Sequence, residues 1–165
     1  MNHNKVNMKF QSEKNCFNDI SNYLIEEFDG LSPIDAWGER SYFYNPSLIL
    51  PRGVYFCTLK EKDGDNDRAS NIDREGVYRF NFGLPAKVFL ELYGEKPKRP
   101  AKGRTISGEW DFTEINKLMP HPVYGWMNWV SILSPTEEVF TELRPYLHLS
   151  YEKAKIILKK RLSKK

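Results

Sequence analysis

Two cysteines and three histidines are all that this chain of 165 residues carries of the side chains that most often form disulfides or hold metals. Cys16 and Cys57 form no CxxC or zinc-type spacing. A disulfide framework and a structural zinc site are therefore excluded, and both thiols read as reduced and buried. His3 lies in a polar lead-in and His148 near the last expected helix, with no HExxH in the chain, so no metal is expected. Long apolar runs are missing too. Nothing approaches the roughly 18 residues that would cross a bilayer, and the opening MNHNKVNMKFQSEKN lacks the apolar heart of a secretory signal. A cytoplasmic protein without a membrane partner is expected. The phosphate-cradling patterns GxGxxG and GxxxxGK(S/T) and the nucleophile elbow GxSxG are also absent, and no cofactor is expected.

What the chain does have is aromatic mass. Ten Phe, nine Tyr and four Trp supply enough buried surface for one ordinary domain to fold without staples. Its net charge of +3 conceals an asymmetry. The tail from Lys153 onward carries +7 with no acid, and EKPKRPAKGR (95–104) carries +4, which leaves about −8 on the rest. The body is acidic, and the basic charge sits in one loop and one terminal helix.

Hydrophobic spacing sets out the elements. Phe17, Ile20, Leu24 and Phe28 fall on one helical face, with Gly30 as a stop. DAWGERSYFYNP reads as a strand ending in an Asn-Pro turn, GVYFCTLKEK as a second and GVYRFNFG as a third. On the third, Tyr78, Phe80 and Phe82 share one face, and Val77, Arg79 and Asn81 share the other. Pro85 opens a helix with Val88, Phe89 and Leu92 inward and Gly94 at its end. Residues 95–108 read as a mobile loop, DFTEINKLM as a short helical turn and WMNWVSIL as a further strand. Ser134-Pro135-Thr136-Glu137 has the form of a capping box. Pro145 is expected to end or kink that helix, and a last helix is expected from Ser150, with Tyr151, Ala154, Ile157, Leu158 and Leu162 on one face. The expected fold is α+β: a flexible lead-in over 1–12, then a single domain over 13–163. Its antiparallel sheet of about four to five strands is flanked by an N-terminal helix and two C-terminal helices.

Four constellations carry chemistry. Asp63, Asp65 and Asp67 alternate as in a calcium loop, but counting from Asp63 the sixth position is Arg68 where glycine belongs. The twelfth is Arg74 where the bidentate carboxylate belongs, so the stretch reads as a solvated turn. Asp73 and Arg74 precede a glycine turn, after which Arg79 and Asn81 project from one strand face. An arginine there either forks onto a ligand's anionic group or closes an internal Asp–Arg pair that pins loop to sheet. His121, in MPHPVYGWMNWVSIL, is a hydrogen-bonded turn residue or a catalytic imidazole. Trp126 and Trp129, three apart on an expected strand, should face opposite sides, one in the core and one free to floor a groove.

The segments DAWGE, SNIDREGVYRFNFG, LMPHPVYGWMNWVSIL and LSYEKA, in this order between about residues 20 and 160, together resemble an uncharacterised bacterial family, the domain of unknown function numbered 6194. The matching positions are Asp35, Trp37, Gly38, Asp73, Arg74, Gly76, Arg79, Asn81, His121, Pro122, Tyr124, Gly125 and Trp129. The resemblance implies a fold and no activity. The last third is also similar to the MmcQ/YjbR family: a tryptophan-bearing strand, a proline-started helix, then Ser150-Tyr151 opening the final helix. That likeness implies a small α+β fold resembling the double-wing fold, and through it a DNA-binding reading. The loop 95–108 and the HPVYG turn depart from it.

The function expected from these residues is non-catalytic binding of a small or extended polar or anionic partner, a small molecule or a protein. Arg79 and Asn81 would line the groove with His121 and Tyr124, Trp129 would wall it, and Asp73 would orient Arg79; Asp35 and Trp37 complete the candidate set. One rival is a hydrolytic or acid–base enzyme with His121 as base and Asp35 or Asp73 as orienter. Another is nucleic-acid binding through Lys96, Lys98, Arg99, Lys102, Arg104 and the terminal lysines.

Overall fold

A computed structural model describes residues 16–164; the expected lead-in, residues 1–12, lies outside them. The elements run α1 (Cys16–Glu27), β1 (Leu31–Ala36), β2 (Glu39–Tyr44), β3 (Val54–Lys60), β4 (Arg79–Gly83), α2 (Ala86–Tyr93), β5 (Met119–Pro120), β6 (Trp129–Leu133) and α3 (Glu137–Ser163). The strands form one antiparallel sheet in the order β1-β2-β3-β4-β6-β5. The α+β class stands, with six strands rather than four to five.

One of the extra strands comes from DAWGERSYFYNP, which is not a single strand. It folds into the β1–β2 hairpin over a two-residue turn at Trp37-Gly38, where both residues take positive φ (49° and 73°). Two such residues are what a type I′ turn needs to match the twist of its strands. The other is the short β5, which adds at the far edge against Ser131 and Val130.

Alternation splits the sheet into two unlike faces. Cys57 and Leu59 on β3 lie opposite Phe82 and Phe80 on β4, and Val130 and Ile132 continue the row on β6. Onto this face pack Ile20, Tyr23 and Leu24 of α1 and Phe140, Leu143 and Leu147 of α3. At about 25 cal/mol per Å2 of apolar surface, each such side chain contributes roughly 1.5–3 kcal/mol to the folded state.

The C-terminal region differs most from expectation. Helix α3 is continuous from Glu137 to Ser163 with Pro145 inside it, so there is one C-terminal helix, not two. The proline forgoes one backbone donor. Packing of Phe140, Leu143 and Leu147 on one side of it, and of Ser150, Ala154 and Leu158 on the other, keeps the two halves on one buried stripe. Ser150 and Tyr151 therefore lie in mid-helix and open nothing. Nor is Ser134 the cap. Thr136 is, its hydroxyl accepting from Val139 N at 3.2 Å. Ser134 is drawn off to stitch the start of β4, its N donating to Tyr78 O (3.0 Å) and its Oγ accepting from Tyr78 N (3.2 Å).

DFTEINKLM closes only a turn, held by Asp111 Oδ1 accepting from Thr113 N at 3.0 Å. Ile115 then forms an isolated bridge to Leu133. The loop 95–108 is irregular but anchored, because Ile106 is buried against Phe112 and Met119 and its N donates to Pro122 O at 2.9 Å.

Candidate functional site

On the second face of the sheet the same alternation brings polar side chains together. Thr58, Asn81 and Ser131 lie side by side on β3, β4 and β6. Asn81 Nδ2 donates to Thr58 Oγ1 (2.9 Å), and Asn81 Oδ1 accepts from Ser131 Oγ (2.8 Å) and from Arg79 Nε (2.8 Å). Arg79, two residues along β4, is 1% exposed. Its guanidinium forks onto Asp67: Nη1 donates to Oδ1 at 2.9 Å, and Nη2 to Oδ2. Nη1 also donates to Ser70 Oγ at 2.9 Å. Burial works against the Asp67 carboxylate, but the Arg79 hydrogen bonds and charge outweigh it and hold the carboxyl below its ordinary range. Lys60 and Glu39, facing each other on β3 and β2, pair at 3.6 Å.

His121 reaches this network from the turn before β6. Its main chain is held on both sides, N donating to Trp129 O and O accepting from Gly125 N, each at 2.9 Å. At Gly125 a Cβ would meet Ile106 Cδ1 at 3.0 Å and Pro120 Cβ at 3.2 Å, so only glycine closes the turn without displacing them. The ring folds back so that Nδ1 accepts from Val123 N and Tyr124 N, both at 3.0 Å, while Nε2 lies 3.2 Å from Arg79 Nη2.

These contacts bias the tautomer. A proton on Nδ1 would face two donors at 3.0 Å; a proton on Nε2 faces one at 3.2 Å. Two protons would face all three. Two amide donors against one guanidinium donor favour the neutral ring with Nε2–H. Burial, and then the Arg79 charge, push its pKa well below 6.5 in the same sense, against the opposing pull of Asp67. Among the described residues the one side-chain partner of Nε2 is Arg79 Nη2.

His121 lines a groove. A cavity of about 530 Å3 runs from Glu39, Thr58, Asp67 and His121 past Tyr55, Tyr124, Met127 and Trp129, and ends against Lys153, Ile157 and Arg161 of α3. That is the size of a small-ligand site: apolar for most of its length, with few polar groups. Among the described residues no group of three His, Cys, Asp or Glu is placed to hold a metal.

The model of the family of unknown function DUF6194 matches residues 15–163. The chain belongs to that family. No curated protein and no solved structure matches it. The network and the groove both lie inside the stretch that defines this DUF6194 member.

The structure brings together five of the expected residues, Arg79, Asn81, His121, Tyr124 and Trp129, on one face and its capping turn. Within them Arg79 is an internal strut, four of its five N–H groups engaged by Asp67, Ser70 and Asn81, and neither Arg79 nor Asn81 lines the groove. The expected Asp73–Arg79 pairing is replaced by Asp67–Arg79. Asp73 instead accepts from Asp63 N at 3.0 Å, and Arg74 ties the loop down through Asn71, Ser70 and Thr113 carbonyls. The orienters proposed for a catalytic His121 are displaced too, since backbone amides hold its Nδ1. Asp35 and Trp37 belong to a second, more open hollow at the β1–β2 hairpin. There Asp35 pairs with Arg40 at 2.7 Å and Trp37 is 95% exposed. Trp126 sits in a short helical turn, not on β6, so the opposite-face argument does not apply to it; Arg99 lies over its ring at 4.8 Å. Lys96, Lys98, Arg99, Lys102 and Arg104 are all exposed, and none lines the groove.

Sequence reasoning missed Asp67, Thr58, Tyr55, Lys153 and Arg161. Thr58 was legible from β3 alternation. Asp67 was set aside with its solvated neighbours, which is right for Asp65, whose side chain is 99% exposed, and not for Asp67.

Proposed function

We propose that this DUF6194 member is a cytoplasmic, non-catalytic binding domain whose groove takes one small polar ligand. The observation that carries the reading is the aromatic-walled cavity of about 530 Å3 whose polar end is lined by His121, Asp67 and Thr58. With the proton on Nε2, His121 would donate to a ligand carbonyl or hydroxyl oxygen. A hydroxyl there would also face the Asp67 carboxylate. Tyr55, Tyr124 and Trp129 supply flat apolar area at low entropic cost.

Binding is favoured over acid–base chemistry on the same geometry. An imidazole with Nδ1 occupied by two amides and Nε2 already protonated has no lone pair with which to take a proton. The exposed basic loop supports a nucleic-acid reading only as surface charge, and its signature would be affinity falling steeply with salt.

The test is a thermal-shift screen at fixed salt with nucleotides, sugar phosphates, carboxylates, divalent metals and short oligonucleotides. A ligand at about 100 times its Kd adds roughly 2.7 kcal/mol. For a domain of this size each kcal/mol raises Tm by about 2–4 °C. A shift that disappears in Trp129→Ala and Tyr124→Ala supports the groove. A shift that survives both places the ligand elsewhere, and silence across the panel counts against a small-molecule role.

A further inference from the structure

The charges along the groove are distributed unevenly. At its polar end both carboxylates are matched, Asp67 by Arg79 and Glu39 by Lys60. At its α3 end Lys153 and Arg161 have no carboxylate within 4.0 Å among the described residues. Both line the cavity, two helical turns apart on one stripe of α3 and so about 12 Å apart along its axis. Arg161 is exposed at the rim, donating to Gly53 O at 3.2 Å.

Lys153 is half-buried and fixed, because its Nζ donates to Leu84 O at 2.7 Å and so keeps two further N–H groups unassigned. Burial, with Lys96 nearby, already lowers its pKa, as expected for a cation without a counter-ion. One residue back from Leu84 is Gly83, and over it lies the Trp129 indole, whose Nε1 is 3.0 Å from where a Cβ would stand. That indole N–H has no acceptor among the described residues. Glycine at position 83 is what lets the ring lie there.

We propose that Lys153 Nζ and the Trp129 indole N–H, meeting over Gly83-Leu84 at the end of β4, form an anion subsite. Arg161 adds charge at the rim. The ligand of this groove is then an anion carried on a flat ring: the carboxylate or phosphate oxygens accept from Lys153 and Trp129, and the ring lies along Tyr55 and Tyr124. This rests on the groove reading above and moves the anion site from Arg79, which is spent internally, to α3.

The experiment follows the indole N–H and histidine signals in 1H–15N spectra while titrating 2-naphthoate, 2-naphthyl phosphate, uncharged 2-naphthamide and ring-free acetate. The proposal expects at least one charged naphthyl probe to move the Trp129 indole signal saturably and to bind tenfold or more tighter than the amide, with acetate far weaker. Which of the two charged probes binds tighter distinguishes carboxylate from phosphate. Lys153→Gln should bring the charged probe down to the affinity of the amide, Lys153→Arg should restore most of the loss, and Arg161→Gln should cost less than Lys153→Gln. Equal binding of charged and uncharged probes, or indifference to Lys153→Gln, would overturn the anion subsite and leave the groove standing. If no ring probe moves Trp129, Tyr124 or His121, both readings fail together. Tm of each unliganded variant shows that the fold is kept.

Discussion

On one face of the sheet Phe80 and Phe82 meet Phe140, Tyr23 and Leu147; one residue along the same strand, Arg79 and Asn81 meet Asp67, Thr58 and Ser131 on the other. Both faces are buried along β4. The first is held by area, which is non-directional, so substitutions there scale with the volume removed. The second is held by directed bonds, each of which needs its partner. A face of this second kind adds little net stability over a well-packed apolar one. What it gains is position: the fork from Arg79 to Asp67 fixes a loop, and the loop fixes one wall of the groove.

Removing one partner should separate the two faces most sharply. Arg79→Leu, which leaves Asp67 buried and unpaired, should cost about 3–5 kcal/mol, close to the cost of Phe80→Ala on the core face. Replacing both partners, as Arg79→Met with Asp67→Leu, should recover a large part of that loss. No second substitution on the core face should restore Phe80→Ala in the same way. Urea melts of the single and double variants check this.

The next effect is of pH. His121 has a folded pKa below its unfolded one, so the unfolded chain binds more protons and stability falls as pH drops below about 6.5. The slope can reach about 1.4 kcal/mol per pH unit for one proton. Asp67, also depressed, contributes its own loss only further down, below about 4. His121→Asn should flatten the upper window of the urea-midpoint profile and leave the lower one.

Smaller still, Gly83→Ala should cost about 1 kcal/mol by pushing the Trp129 indole off β4. Its larger consequence should be loss of probe binding, read on the Trp129 indole signal. At the hairpin, Asp35→Asn removes an ion pair whose carboxylate is 68% exposed, so the melt should move by no more than about 0.5 kcal/mol.

The contrast between the faces also marks how far the chain could be read without its structure. The core face was legible because apolar residues repeat at 2 or 3.6, and α1, β3, β4 and α2 follow from that spacing. Two signals of the same kind were overridden by proline and by unfamiliar turn chemistry. The stripe Phe140, Leu143, Leu147, Ser150, Ala154, Leu158 runs straight through Pro145, and its periodicity argues for one helix against the local rule for proline. Trp37-Gly38 makes a hairpin turn in which the usual Asn or Asp is replaced by Trp.

The polar face was half legible. Alternation placed Arg79 and Asn81 together, but the choice between Asp67 and Asp73 as partner depends on how a loop folds back over the sheet, which no local pattern encodes. Lys153 and Arg161 were hidden inside a run of basic residues. Only the helix register and the end of β4 single them out.

The account stands most directly on one proton. Long-range 1H–15N spectra of the His121 imidazole, assigned with His121→Asn, report which nitrogen carries it. A neutral ring protonated at Nε2, with Nδ1 bare and no imidazolium signal as pH falls from 8 to 6, is the predicted result. Protonation at Nδ1, or titration near 6.5, would contradict it, because His121 would then offer a ligand no Nε2–H donor.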